Sequence, residues 1–198
     1  MKVSKAQTAE NRQGILDAAA RLYRERGLSG VGVADITRDA GLTHGGLYRH
    51  FASKDALVRE ACALAFDWSI PALEGSEGDT PLASRVASYL SPVHRDRPGE
   101  GCPVAALAVD AARAGGGLSE VFAQGIERNI DRFARVIEGL APADSAPSAQ
   151  GRARAMAMLA TMVGGLVLAR ATADGRPALS DEILATLREQ LAAPSPGA

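Results

Sequence analysis

Six apolar residues between positions 122 and 140 constrain the fold of this chain more than any other feature. Phe122, Ile126, Ile130, Phe133, Ile137 and Leu140 step by 4, 4, 3, 4 and 3, the spacing of one face of an α-helix. A half-buried strand needs apolar residues at every second position, and no stretch of the chain shows that pattern. Helical spacing recurs instead. Ile15, Ala19, Leu22 and Tyr23 predict a first helix from Lys5 to Arg26, with Gly27 placed to stop it. A short second helix follows over 33–40, with Ile36 and Ala40 facing inward, and Gly41 ends it. A third opens at Thr43, which can act as its N-cap, and buries Leu47 and Phe51. Ser53 and Asp55 start a fourth, running through Leu57, Ala61, Leu64, Ala65 and Trp68 towards Pro71.

Further helices are predicted over 82–95, over 103–114 (stopping at Gly115, Gly116 and Gly117), and over 118–140, 150–173 and 181–192. Ser180 stands where it can cap the last of them, with Asp181 and Glu182 at its positive end. Segments 75–81 and 141–149 read as loops, and the last six residues as a frayed tail. The expectation is an all-α chain of about nine helices.

An apolar content of 46% and a charged content of 23% are ordinary for a globular protein and argue against disorder. The longest apolar stretch, 156–169, lies between Arg154 and Arg170 and is shorter than the ~20 residues that cross a bilayer. The first residues are polar throughout, unlike a secretory signal. Cys62 and Cys102 make no disulfide framework. The sequence thus suggests a cytoplasmic protein with no membrane contact, and it calls for no cofactor and no metal. His44, His50 and His94 show no spacing with acidic residues that suggests a triad or a metal site, which weighs against an enzyme.

The net charge of −1 divides unevenly. Residues 1–60 carry ten basic and seven acidic residues, a balance of +3, and the remainder twelve and sixteen, a balance of −4. A basic head on an acidic body is a common footprint of a nucleic-acid binder.

Two short helices joined by a tight turn at Gly41 make a helix-turn-helix. In that motif the second helix enters the major groove with its N-terminal end leading, and its free N–H groups hold phosphate well. Gly45 and Gly46 lie at that end, although each glycine costs a helix about 1 kcal/mol relative to alanine. Missing side chains there let the backbone approach DNA closely. The alternative is a loop, with the helix starting only at Leu47. Thr43, His44, Tyr48, Arg49, His50 and Lys54 cluster around the glycines, and all can donate hydrogen bonds to phosphates or base edges. Arg49 is the best candidate for a bidentate contact to guanine. Tyr48, His50 and Lys54 suit phosphates. The plainer alternative packs Tyr48 in the core and leaves Arg49 solvated.

The run LTHGGLYRHFASKDAL, preceded by GVADITRDAG, resembles the DNA-binding head of the tetracycline-repressor (TetR) family of bacterial transcription regulators. The resemblance covers about residues 10–60. It implies a helix-turn-helix DNA-binding domain over 1–54, and an effector-binding and dimerisation domain over 55–198. It places DNA contacts on His44, Gly45, Gly46, Tyr48, Arg49, His50 and Lys54, with Thr43 as the capping residue. The family commonly has Thr or Ser before the second helix, for capping and phosphate contact. Here Val31 and Gly32 stand there, which leaves that contact absent or made by backbone N–H. A GCP in the body, ahead of an apolar helix, resembles one subgroup, some of whose members control efflux or detoxification genes.

The resemblance further implies a repressor that binds double-stranded DNA as a homodimer and is released by a small-molecule effector, apolar or aromatic. Sparse large side chains are the candidate pocket lining: Trp68, Tyr89, Phe122, Phe133, Met158 and Met162, with Cys102 at a predicted helix start. Residues of these types at helical spacing are more commonly core. The stretch ATMVGGLVLA is apolar nearly all round, more than one core face requires. Met162, Gly165, Leu166 and Ala169 there, with Ile183, Leu184, Leu187 and Leu191 on the last helix, are the expected dimer seam. A helical interaction or sensor module whose degenerate head no longer binds DNA is the alternative to a regulator.

Overall fold

The computed structural model describes residues 4–74, 82–141 and 144–192. Among them are nine α-helices, two 3-10 helices and no strand. The chain packs as two units, residues 1–69 with 98–123, and residues 70–97 with 124–198. The division expected at residue 54 falls inside the first unit.

In the first unit, α1 spans Lys5–Arg26 and α2 Val33–Asp39. Ser4 caps α1 by accepting from Gln7 N at 3.1 Å. Gly27 ends it at φ +72°, a left-handed value that favours glycine. A 3-10 helix follows over His44–Arg49, and α3 runs over Lys54–Glu74. Ser53 caps α3 through Ala56 N, and the helix continues through Pro71 instead of stopping there. A second 3-10 turn, Pro98–Glu100, leads to α6 (Pro103–Ala114) and the start of α7 (Gly116–Glu138). Ile15, Ala19, Leu22 and Tyr23 are buried as their spacing predicts, together with Ile36, Leu47, Phe51, Leu57 and Ala61. Phe66 meets Phe122 edge to face at 5.2 Å.

In the second unit, the single helix expected over 82–95 is two helices, α4 (Leu82–Tyr89) and α5 (Pro92–Asp96). Ser91 and Pro92 explain the break. Pro92 lacks an N–H and takes the first position of a new helix, and the Ser91 hydroxyl caps it by accepting from His94 N at 3.1 Å. The C-terminal part of α7, α8 (Ala149–Thr172) and α9 (Pro177–Ala192) complete the unit. Ser148 caps α8. Ser180 does not cap α9, which begins three residues earlier at Pro177. Its buried hydroxyl instead donates to Ala169 O at 2.7 Å and accepts from Arg95 at 2.9 Å.

Helix α8 is long and apolar enough to cross a membrane by length and composition. One side of it, through Ala155, Leu159, Met162, Leu166 and Ala169, is buried within the unit.

Candidate nucleic-acid interface

The segment with two glycines folds as a 3-10 helix of six residues, not as the α-helix expected from Thr43. Two adjacent glycines remove enough helix propensity that only the tighter, shorter form is made. It is held at both ends by backbone bonds, Gly46 N to Thr43 O at 2.9 Å and Phe51 N to Leu47 O at 3.1 Å. Leu47 (0% exposed) and Phe51 (2%) anchor it in the core. The Arg12 guanidinium stands 4.7 Å over the Phe51 ring and pairs with Glu60, so α1, this helix and α3 meet at one point. Gly41, at φ +67°, makes the turn from α2, with Leu42 N bonded to Thr37 O and Gly41 N to Arg38 O.

With Leu47 turned inward, Tyr48 and Arg49 face solvent. Tyr48 is 56% exposed, against the alternative that packs it in the core. Arg49 is exposed, and its side chain makes no hydrogen bond or ion pair among the described residues. His50 is half-buried and closes the turn through its N–H to Leu47 O. A Cβ on Gly46 would meet nothing nearer than Thr43 Oγ1 at 3.9 Å, and its φ is not left-handed. Among the described residues, nothing inside the unit therefore requires glycine at 46. The side-chain surroundings of His44 and Gly45 lie outside the described residues.

Two contacts differ from expectation. Thr43 occupies the N-cap position, yet its hydroxyl makes no capping bond. Lys54 is half-buried and its ammonium donates to Val31 O at 3.0 Å, so it serves the fold before any phosphate. Val31 itself is buried. The Gly32 N–H is given to the Asp35 carboxylate at 3.0 Å, and so does not replace the missing hydroxyl as a phosphate donor.

The residues expected to line an effector pocket fall in both units. Cys102 and Phe122 are buried in the first unit, while Tyr89, Phe133 and Met162 are buried in the second. The Trp68 side chain lies outside the described residues. Met158 lines a cleft of about 390 Å³, with Leu82, Ile137, Arg154, Thr161 and Leu191 around it.

The residues expected at a dimer seam differ in burial. Met162, Gly165, Leu166, Ala169 and Leu184 are buried within the subunit. Ile183, Leu187 and Leu191 are half-buried. A Cβ on Gly165 would strike Leu187, so that glycine serves packing inside the subunit. The opposite side of α8 is open. Met156 (45% exposed) and Val167 (43%) lie on a stripe with Ala160, Val163 and Ala171, and Gly164 beside them has nothing within 4 Å.

Two buried polar residues escape a reading by motif. Arg24 is 4% exposed and donates to Gly101 O at 3.2 Å. Asn129 is fully buried with neither side-chain polar atom hydrogen-bonded. Its signal was available: it falls in phase with Ile126 and Phe133, on an otherwise apolar stripe.

Comparison with known proteins gives a consistent result. Residues 15–61 match the family model of bacterial regulatory proteins, tetR family. The HTH-type transcriptional repressor KstR2 of Mycolicibacterium smegmatis is 40% identical over 63 residues, 32% of this chain and 31% of that protein. The chain thus matches less than a third of that relative's length. The HTH-type transcriptional repressor DhaR of a Mycobacterium species is 25% identical over 135 residues, 65% of this chain and 66% of that protein. Among solved structures, a TetR-family transcriptional regulator from Cytophaga hutchinsonii superposes with a TM-score of 0.73 at 21% identity, covering 97% of each chain.

Proposed function

We propose that this chain, which carries the tetR-family reading head on the fold of that family's solved regulators, is a DNA-binding transcriptional repressor that holds a palindromic operator as a homodimer. The proteins it resembles are regulators, not enzymes. One observation carries the reading: Tyr48 and Arg49 project from the 3-10 helix into solvent, beside a glycine that the interior does not require. Arg49 is the base-reading residue, and Tyr48, His50 and the backbone near Gly46 hold phosphates.

The open stripe of α8 supports dimerisation. An apolar band through Met156 and Val167 is open on the single subunit, and two copies can cover it across a two-fold axis. Two heads then read two half-sites. Release by a small apolar or aromatic effector, and action in the cytoplasm, follow from the likeness to tetR-family regulators. Control of efflux or detoxification genes is tied to the GCP resemblance alone.

The test is binding to a duplex from the region upstream of the protein's own coding sequence, followed by fluorescence anisotropy. Arg49→Ala is expected to weaken binding by about 1–3 kcal/mol and relax selectivity at one base pair in each half-site. Equal affinity for that duplex and for a scrambled one in the unaltered protein defeats the proposal.

A further inference from the structure

We infer that a cleft between α4, α7, α8 and α9 binds a small amphipathic carboxylate, with Arg154 holding its charged end. The inference names an effector class for the proposed regulator. It rests on that reading for the consequence to DNA, not for the binding itself. Every residue that lines the cleft belongs to the second unit.

Helical spacing builds the walls. Arg154, Ala157, Met158 and Thr161 step by 3, 1 and 3 and so share one side of α8. That side is neither the buried one through Ala155, Leu159 and Met162 nor the open band through Met156 and Val167. Leu82 opens α4, Ile137 lies one residue from the end of α7, and Leu191 sits in the last turn of α9. The cleft holds about 390 Å³, at the small end of ligand cavities, which run from about 300 to 1,000 Å³. A flexible chain of about ten non-hydrogen atoms fits that space.

The cleft has an apolar floor and a polar rim. Leu82, Ile137, Met158 and Leu191 are half-buried, whereas Arg154 and Gln190 are exposed. The unbranched, polarizable Met158 lets the floor adapt to a flexible tail. Among the described residues, Arg154 is the one charged group on the walls, and no acid lines them. Glu138 follows Ile137, but its carboxylate turns to the start of α8, where it accepts from Ser148 N at 3.0 Å and from the Ser148 hydroxyl. Thr161 gives its proton to Ala157 O at 2.8 Å. The side-chain donors on the walls are then the Arg154 guanidinium, which has no acceptor, and the Gln190 amide. A cation at the rim above an apolar floor repels an amine and suits a carboxylate whose tail points inward.

The test titrates the full-length protein with octanoate by isothermal titration calorimetry, with octylamine as the charge-reversed control. One saturable site per subunit is expected for octanoate, at least about tenfold tighter than for octylamine. Affinity should rise about threefold per methylene from hexanoate to octanoate. It should level off for longer chains once the floor is covered, whereas adsorption to a bare surface would keep rising. Arg154→Gln should remove the preference for octanoate without lowering the melting temperature. Ala157→Trp, at an exposed position on the wall, should block the cleft and abolish binding with the helical circular-dichroism spectrum retained. Amide hydrogen exchange of the unaltered protein locates the site without any variant, and octanoate should slow exchange in 154–161 and 187–192. No saturable octanoate binding at millimolar concentration, a preference that survives Arg154→Gln, or protection confined to other segments overturns the site. Octanoate is then added to the anisotropy assay on the upstream duplex. Binding at the cleft with operator affinity unchanged overturns the effector role. If the unaltered protein binds no duplex, the operator reading fails instead, and calorimetry and exchange decide the cleft on their own.

Discussion

The Lys54 ammonium donates to the backbone carbonyl of Val31 at 3.0 Å, and so ties the start of α3 to the entry of α2. Lys54→Met keeps the aliphatic stem but removes the donor, leaving a buried residue's carbonyl without this partner. The variant is expected to lose about 0.5–1.5 kcal/mol of stability, measured by urea denaturation. Operator binding should weaken alike on all sequences, because the head is loosened and not because a base is misread. A variant as stable as the unaltered protein, with selectivity changed at one base pair, contradicts this account.

The open side of α8 and the buried side of α9 give opposite expectations. Val167 is 43% exposed, so Val167→Glu should leave the subunit folded but place a carboxylate in the proposed seam. Sedimentation at micromolar concentration is expected to show a monomer with an unchanged helical circular-dichroism spectrum. Leu184 is 1% exposed, and Leu184→Ala should cost about 2–5 kcal/mol of stability through the cavity it leaves. If Leu184→Ala dissociates the dimer without lowering stability, while Val167→Glu remains dimeric, the seam lies on the side of α8 and α9 that the apolar spacing suggests.

How much is legible in the sequence follows from what periodicity encodes. Spacing alone places α1, α6 and α7 within a residue or two, because Gly27 and Gly115 stop helices at left-handed angles that few other residues adopt. Ser91 and Pro92 signal their break too, but the apolar spacing of Leu82, Val86, Tyr89 and Val93 runs through it and reads as one helix. Ser180 misleads because a serine before acidic residues looks like a cap, while Pro177 three positions earlier is the stronger start signal. On α8 the sequence shows an apolar surface all round, but spacing does not say which side faces its own subunit. Gly164 and Gly165 are adjacent, yet one faces open space and the other Leu187. The Lys54–Val31 bond is not legible either, because it is a tertiary contact across 23 positions that no local spacing signals.

Among the described residues, Asn129 has no side-chain hydrogen-bond partner. Its amide is fully buried on α7 with neither atom hydrogen-bonded, a placement that costs roughly 1–3 kcal/mol by the measure of core substitutions. Asn129→Leu has nearly the same shape and removes both polar atoms. It is expected to raise the thermal midpoint, read by differential scanning calorimetry. A fall in the midpoint means that the amide has a compensating partner, such as an internal water.

His94 offers a test by pH. Burial pushes its imidazole below the ordinary value, its bond to Tyr89 O at 2.8 Å opposes that, and the Arg170 guanidinium lowers it again. The Tyr89 ring stands edge on at 4.6 Å, and Arg170 reaches the His94 and Arg95 carbonyls, so a proton added here meets an existing positive charge. The folded state thus binds this proton less readily than the unfolded chain. Stability from this group is present above the unfolded value of about 6.5 and is lost as pH falls through the lower folded value. Asp96 and Glu138 are held below the usual carboxylate range by Arg95 and Ser148, so their contribution is lost only at more acid pH. Denaturation midpoints should therefore fall between about pH 7 and pH 5 in the unaltered protein. His94→Asn, which can still donate to Tyr89 O, should flatten that fall while leaving the steeper loss at lower pH. An equal slope in both proteins over that window would place the titrating group elsewhere.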